Sequence, residues 1–108
     1  MRWLVYGANG YTGQLVARRA VRDGQHPVLA GRNGPAVAAL AAELGLEHHT
    51  VDLSDATRLR EVLAGVDAVA HCAGPFSATA RPMVEACLVS GTHYLDITGE
   101  VTVFEEIY

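Results

Sequence analysis

Short apolar runs alternate with longer amphipathic stretches along this chain, and glycines punctuate the junctions. The apolar runs predict five strands, at Arg2–Tyr6, Pro27–Ala30, Leu46–Val51, Val66–His71 and Thr92–Asp96. Within the fourth, Ala68-Val69-Ala70 is apolar without a break, as suits a strand covered on both faces. Helices are predicted between them. The first runs from Thr12 to Asp23, with Leu15, Val16, Ala20 and Val21 on or near one face and Gly24 as its stop. The second carries Pro35 in its first turn, where a missing N–H costs nothing, and ends at Leu44-Gly45. The third is capped by Ser54 or Asp55 and runs through Leu63 to Gly65. The fourth spans Ala80–Ser90 and stops at Gly91.

Strand and helix alternating at this spacing give an α/β domain, a parallel sheet wrapped by helices. Right-handed crossovers and a glycine-rich first loop favour the doubly wound order 3-2-1-4-5, a Rossmann-like single domain over residues 1–108. The final stretch, Val101–Tyr108, reads as a further helix, with Val103, Phe104 and Ile107 at helical spacing and no closing residue. A helix that short is marginal alone, so the chain is expected to be the N-terminal part of a longer protein.

Composition narrows the function. The 108 residues are 50% hydrophobic and 19% charged, the balance of a folded domain and not of a disordered tail. A net charge of −4 lacks the basic footprint of a nucleic-acid binder. All 8 basic residues are arginine. Without lysine the chain holds no Walker A loop, no Schiff-base lysine and no Tyr-x-x-x-Lys reductase pair. No apolar stretch approaches a membrane span, and Met1–Tyr6 is too short for a signal peptide. Cys72 and Cys87 form neither a C-x-x-C pair nor a disulfide framework, which points to the reducing cytoplasm. His48 and His49 are adjacent on a strand and face opposite ways, while His71 and His93 fall on strands and are expected to pack near the sheet, so no metal site is expected.

The connection after the first strand is Gly7-Ala8-Asn9-Gly10-Tyr11-Thr12-Gly13. A G-x-x-G-x-x-G pattern alone is weak, but this one leaves a strand and opens a helix. In that setting Gly7 makes the tight turn, Gly10 lets backbone approach a pyrophosphate, and Gly13 lets helix and strand pack closely. The N–H groups at the helix start then face the phosphates, and Asn9 and Thr12 can add side-chain hydrogen bonds. At the end of the second strand, where an acidic residue would bind the ribose hydroxyls of NAD, the chain reads Gly31-Arg32-Asn33. A guanidinium there suits the 2′-phosphate of NADP. Two later loops reach the same end of the sheet. In Val51-Asp52-Leu53-Ser54, Asp52 either accepts from the adenine amino group or caps a helix. In His71-Cys72-Ala73-Gly74-Pro75-Phe76, small residues and a proline-fixed turn let backbone approach the cofactor; Cys72 reads as a buried, inert thiol, with a reactive thiol beside the cofactor loop as the alternative.

These stretches, together with Thr92-His93-Tyr94-Leu95-Asp96-Ile97-Thr98-Gly99-Glu100, resemble the N-terminal NADP-binding domain of saccharopine dehydrogenase-like oxidoreductases. That group includes saccharopine reductases and trans-acting enoyl reductases. The resemblance spans nearly the whole chain. It implies a Rossmann domain, NADP as cofactor in preference to NAD, and a substrate domain further along. The candidate cofactor contacts are Gly7, Asn9, Gly10, Tyr11, Thr12, Gly13, Arg32, Asn33, Asp52, Leu53, Cys72, Ala73, Gly74 and Pro75.

Asp96, Thr98 and Glu100 follow the fifth strand, where a carboxylate relays a proton or merely holds a turn and a helix start. Hydride transfer needs positioning more than a protein acid, so no catalytic residue is named. A small-molecule substrate, bound through the further domain, is the expected partner. The isolated chain is expected to bind NADP without turnover. A nucleotide-sensing module that never turns NADP over is the runner-up. A methyltransferase fold is a third class, with no need of Arg32.

Overall fold

The computed structural model describes residues 2–72 and 76–96. Its elements run β1 (Trp3–Tyr6), α1 (Tyr11–Arg22), β2 (Val28–Gly31), α2 (Gly34–Leu44), β3 (His48–Thr50), α3 (Ala56–Leu63), β4 (Ala68–His71), α4 (Phe76–Ser90) and β5 (His93–Asp96). The five strands form one sheet in the order β3-β2-β1-β4-β5. Every pairing is parallel. This is the doubly wound, Rossmann-like arrangement that the sequence predicts. At the C-terminal edge one row crosses the sheet in register, His49–Ala30–Tyr6–His71–Asp96.

Side chains alternate between faces along each strand and divide the core in two. Leu4, Tyr6, Val28, Ala30 and Val69 pack on one face against Leu59, Val62 and Leu63 of α3 and Met83, Ala86 and Cys87 of α4. Val5 and Leu29 pack on the other face with Ala17 of α1 and Val37, Leu40 and Ala41 of α2.

Four of the strands are shorter than the apolar runs, and β2 is shifted by one residue, to Val28–Gly31. The N–H of Asp67 donates to Arg2 O at 2.7 Å and that of Leu29 to Glu47 O at 2.9 Å. Helix α1 starts at Tyr11 and presents Gly13, Ala17 and Ala20 inward. Leu15, expected on the core face, is instead 53% exposed. The reason is steric, since the glycine loop draws α1 so close to the sheet that small residues at i, i+4 and i+7 must line the contact. Asp55, not Ser54, caps α3 by accepting from the Arg58 N–H at 3.0 Å. Helix α4 begins a turn before the expected Ala80, and Pro82 lies inside it. Proline reads as a first-turn residue but here occupies the interior, at the loss of one helix hydrogen bond. Ala73, Gly74, Pro75, Thr98, Glu100 and the predicted helix at Val101–Tyr108 lie outside the described residues.

Candidate functional site

The C-terminal ends of β1, β2, β3 and β4 bring the candidate residues to one edge of the sheet. Gly7 leaves β1 with φ +80°, a left-handed conformation open to glycine. Its N–H and that of Ala8 both donate to Ala30 O, at 2.9 and 3.2 Å, tying the loop to β2. The Gly10 N–H turns back to Gly7 O at 3.0 Å, and α1 opens. Gln14 donates its N–H to Gly10 O at 2.9 Å as the first closed turn, so the N–H groups of Tyr11, Thr12 and Gly13 precede the helical ladder. The Gln14 amide also donates to Asn9 O at 3.0 Å.

How this helix begins sets it apart. In α2 the Asn33 side chain accepts from the Ala36 N–H, and in α3 Asp55 accepts from the Arg58 N–H. In α1 the N-cap is Gly10, with no side-chain cap. That arrangement at the positive end of the helix dipole suits an anion.

The second wall is the end of β2. Gly31 is buried, and a Cβ there would stand 2.9 Å from Val37 Cγ2 and 3.1 Å from Asn9 Oδ1. A side chain at position 31 would have to displace Val37 or Asn9. Arg32 is exposed, and among the described residues it forms no ion pair. Asn33, beside it, spends its side-chain oxygen on capping α2 at 3.2 Å.

The third wall follows β3. Asp52 is exposed, and its Oδ1 accepts from the Ser54 N–H at 2.9 Å and the Ser54 hydroxyl at 2.8 Å. It therefore closes a local turn, while Asp55 caps the helix. Those two bonds hold the Asp52 carboxyl below its ordinary value, and the Arg32 charge adds to them. Leu53 is half-buried against the core. Tyr6, a residue sequence reasoning did not single out, is buried and donates its hydroxyl to Val51 O at 2.8 Å. Burial pushes the Tyr6 phenol up to about 12; the Asp52 charge adds to the rise and Arg32 opposes it. An aromatic residue with a polar tip, ending an otherwise apolar strand beside a glycine loop, is the sequence signal that would have found it.

After β4 the Cys72 N–H donates to Tyr6 O at 2.9 Å, and the Cys72 side chain is buried near Val5 and Ala8. His71 is fully buried between Tyr6 and Tyr94, with ring centroids 5.8 and 5.9 Å away. Burial drives its imidazole down to about 4. His93, by contrast, is exposed.

Residues 3–107 match the family described as the saccharopine dehydrogenase NADP binding domain. This chain belongs to that family. It is 33% identical over 121 residues to a protein of Arabidopsis thaliana named as a probable mitochondrial saccharopine dehydrogenase-like oxidoreductase, covering 96% of this chain and 26% of that protein. It is 31% identical over 105 residues to a trans-acting enoyl reductase of Mycobacterium tuberculosis, covering 91% of this chain and 25% of that protein. The chain thus spans about a quarter of the length of the curated relatives it matches. Saccharopine dehydrogenase (L-Glu forming) from Saccharomyces cerevisiae shares the fold, with a TM-score of 0.77 at 23% identity, over 88% of this chain and 21% of that one.

An NADP-binding domain must hold a pyrophosphate and a 2′-phosphate, and the residues present fit both. The uncapped start of α1 suits the first anion. The position of Gly10 suits its close approach, since a Cβ there would meet only Gly7 O, at 3.3 Å, within 4 Å. Arg32, beside a crowded glycine, suits the second.

Proposed function

We propose that this chain is the nucleotide-holding part of an NADP-dependent oxidoreductase that moves a hydride to or from a small substrate held by a further domain. The observation that carries this reading is the pairing of an uncapped α1 N-terminus with Arg32, an arginine with no ion-pair partner among the described residues. The N–H groups of Tyr11, Thr12 and Gly13 bind the pyrophosphate, with Asn9 fixing the loop through its backbone carbonyl. Arg32 neutralises the 2′-phosphate, and charge-assisted bonds of this kind contribute roughly 1.5–3 kcal/mol. Asp52 and Leu53 border the adenine, and Cys72 with the residues after it lines the path toward the reacting end.

The cofactor, when bound, supplies the hydride. The residues of this chain orient it and select it. Calorimetric titration with NADP, NAD and S-adenosylmethionine tests the reading. Tightest binding of NADP supports it, whereas preference for S-adenosylmethionine or for NAD overturns it. Oxidation of NADPH with a substrate by the full gene product, and not by residues 1–108, separates the enzyme from a sensor that never turns the nucleotide over.

A further inference from the structure

Tyr6 and Val51 come from β1 and from the exit of β3, and β2 lies between them in the sheet. The phenol crosses that gap because its in-register neighbour on the same face is Ala30, small and fully buried. Its hydroxyl donates to Val51 O at 2.8 Å, inside the protein. Val51 in turn donates its own N–H to Gly31 O at 3.0 Å. One carbonyl belongs to the peptide that joins Val51 to Asp52, the other to the peptide that joins Gly31 to Arg32. A single buried relay, Tyr6 to Val51 to Gly31, therefore holds the backbone immediately before both charged residues of the adenosine end. The electrostatics agree with this placement, since Asp52 and Arg32 both act on the phenol and Arg32 acts on Asp52.

We infer that Tyr6 is a positioning residue for cofactor selection, fixing Arg32 relative to Asp52 so that the guanidinium meets the 2′-phosphate of NADP. The inference rests on the NADP reading above. Tyr6 touches no nucleotide in this role. It acts through Val51, and removing its hydroxyl leaves the ring packing among Ala30, His71 and the core in place. The loss falls on the 2′-phosphate contact and not on the pyrophosphate, whose donors lie on α1.

The experiment is a cycle on the chain of residues 1–108, with NADP and NAD titrated against the unchanged protein, Tyr6→Phe, Arg32→Ala and the double variant. Tyr6→Phe is expected to lower the preference for NADP over NAD by about three- to tenfold, the size of one hydrogen bond. In the Arg32→Ala background the same change is expected to leave the ratio where it is. Equal loss for both nucleotides, or an equal drop in ratio in both backgrounds, would mean that Tyr6 only supports the fold, and overturns the inference. Amide exchange on the unchanged protein gives a second reading that needs no variant. Saturating NADP is expected to slow exchange at the Val51 N–H more than saturating NAD does, and equal protection overturns the role. If the unchanged protein shows no preference for NADP, the NADP reading fails and takes this inference with it. A clear preference that survives Tyr6→Phe overturns the role of Tyr6 alone.

Discussion

A Cβ on Gly13 would stand 2.1 Å from the carbonyl oxygen of Gly7 and 2.8 Å from the Ala8 Cα. Helix α1 is thus in backbone contact with the turn that leaves β1, and neither partner can swing aside as a side chain would. Gly7 serves the turn through its left-handed conformation and Gly13 the packing of α1, while a Cβ on Gly10 would meet only Gly7 O within 4 Å.

Gly13→Ala is therefore expected to destabilise the domain by about 1–3 kcal/mol or more, as forced overpacking does. Gly10→Val is expected to cost the fold far less, because its Cβ would meet Gly7 O at 3.3 Å, a tight contact that asks a few tenths of an ångström, where Gly13 would meet it at 2.1 Å. The branched side chain then blocks the approach of the pyrophosphate and abolishes nucleotide binding. Thermal melts and NADP titrations on the two variants separate these effects. A Gly10→Val domain that melts normally and still binds NADP would reduce Gly10 to a turn residue.

Arg32→Ala is expected to weaken NADP binding by about tenfold to a hundredfold, equivalent to about 1.4–2.8 kcal/mol, and to leave NAD binding nearly unchanged. The side chain is exposed and makes no ion pair among the described residues, so its loss should not unsettle the fold. Calorimetry with both nucleotides is the check, and parallel losses for the two would remove Arg32 from the 2′-phosphate.

The obvious route to an NAD-selective variant is expected to fail. Gly31→Asp restores an acidic residue at the end of β2, but its Cβ would meet Val37 Cγ2 at 2.9 Å and the Asn9 oxygen at 3.1 Å. Val37 is fully buried and cannot retreat freely. The single variant is expected to lose stability and both cofactors. Adding Val37→Ala opens space and is expected to recover part of the fold, as read by the urea midpoint. Strong NAD binding by Gly31→Asp alone would show that the Asn9 and Val37 side chains adapt.

The strand order was legible because it follows from period and punctuation, which are local. Five apolar runs, the first four each followed by a helix and a glycine, leave few ways to build a parallel sheet. The glycine loop was legible for the same reason, and so was the arginine after β2. Leu15 misled because hydrophobicity alone chose the buried face of α1, whereas the contact is set by how closely two backbones approach. Tyr6 was hidden because its partner Val51 lies 45 residues away. Its polar tip at the end of an apolar strand marks Tyr6 itself, but nothing local names a partner across an intervening strand. Asp52 was read as an adenine contact or a helix cap, but it holds Ser54 while Asp55 takes the cap, and its nearness to Arg32 arises only when β2 and β3 pair.

The last prediction concerns acid. His71 lies fully buried on β4, flanked by the rings of Tyr6 and Tyr94, with Asp96 as its in-register neighbour on β5. Burial lowers its folded value to about 4 from an ordinary 6.5. Between those values the unfolded chain takes up a proton that the folded chain refuses, so stability rises with pH across the window. The contribution is complete above 6.5 and is lost as pH falls through 4. The whole difference is on the order of 3 kcal/mol. Glu43 and Glu47, held below their ordinary 4.5 chiefly by hydrogen bonds from Arg18 and Arg2, withdraw their support only below that value. Among the described residues, denaturation between about pH 5 and 6.5 therefore reads chiefly the histidine. The urea midpoint is expected to fall steadily over that range, and the slope is expected to vanish in His71→Gln, whatever that variant's overall stability. A midpoint that stays flat from pH 6.5 to about 5, or a slope that survives His71→Gln, would show that another group carries the acid sensitivity.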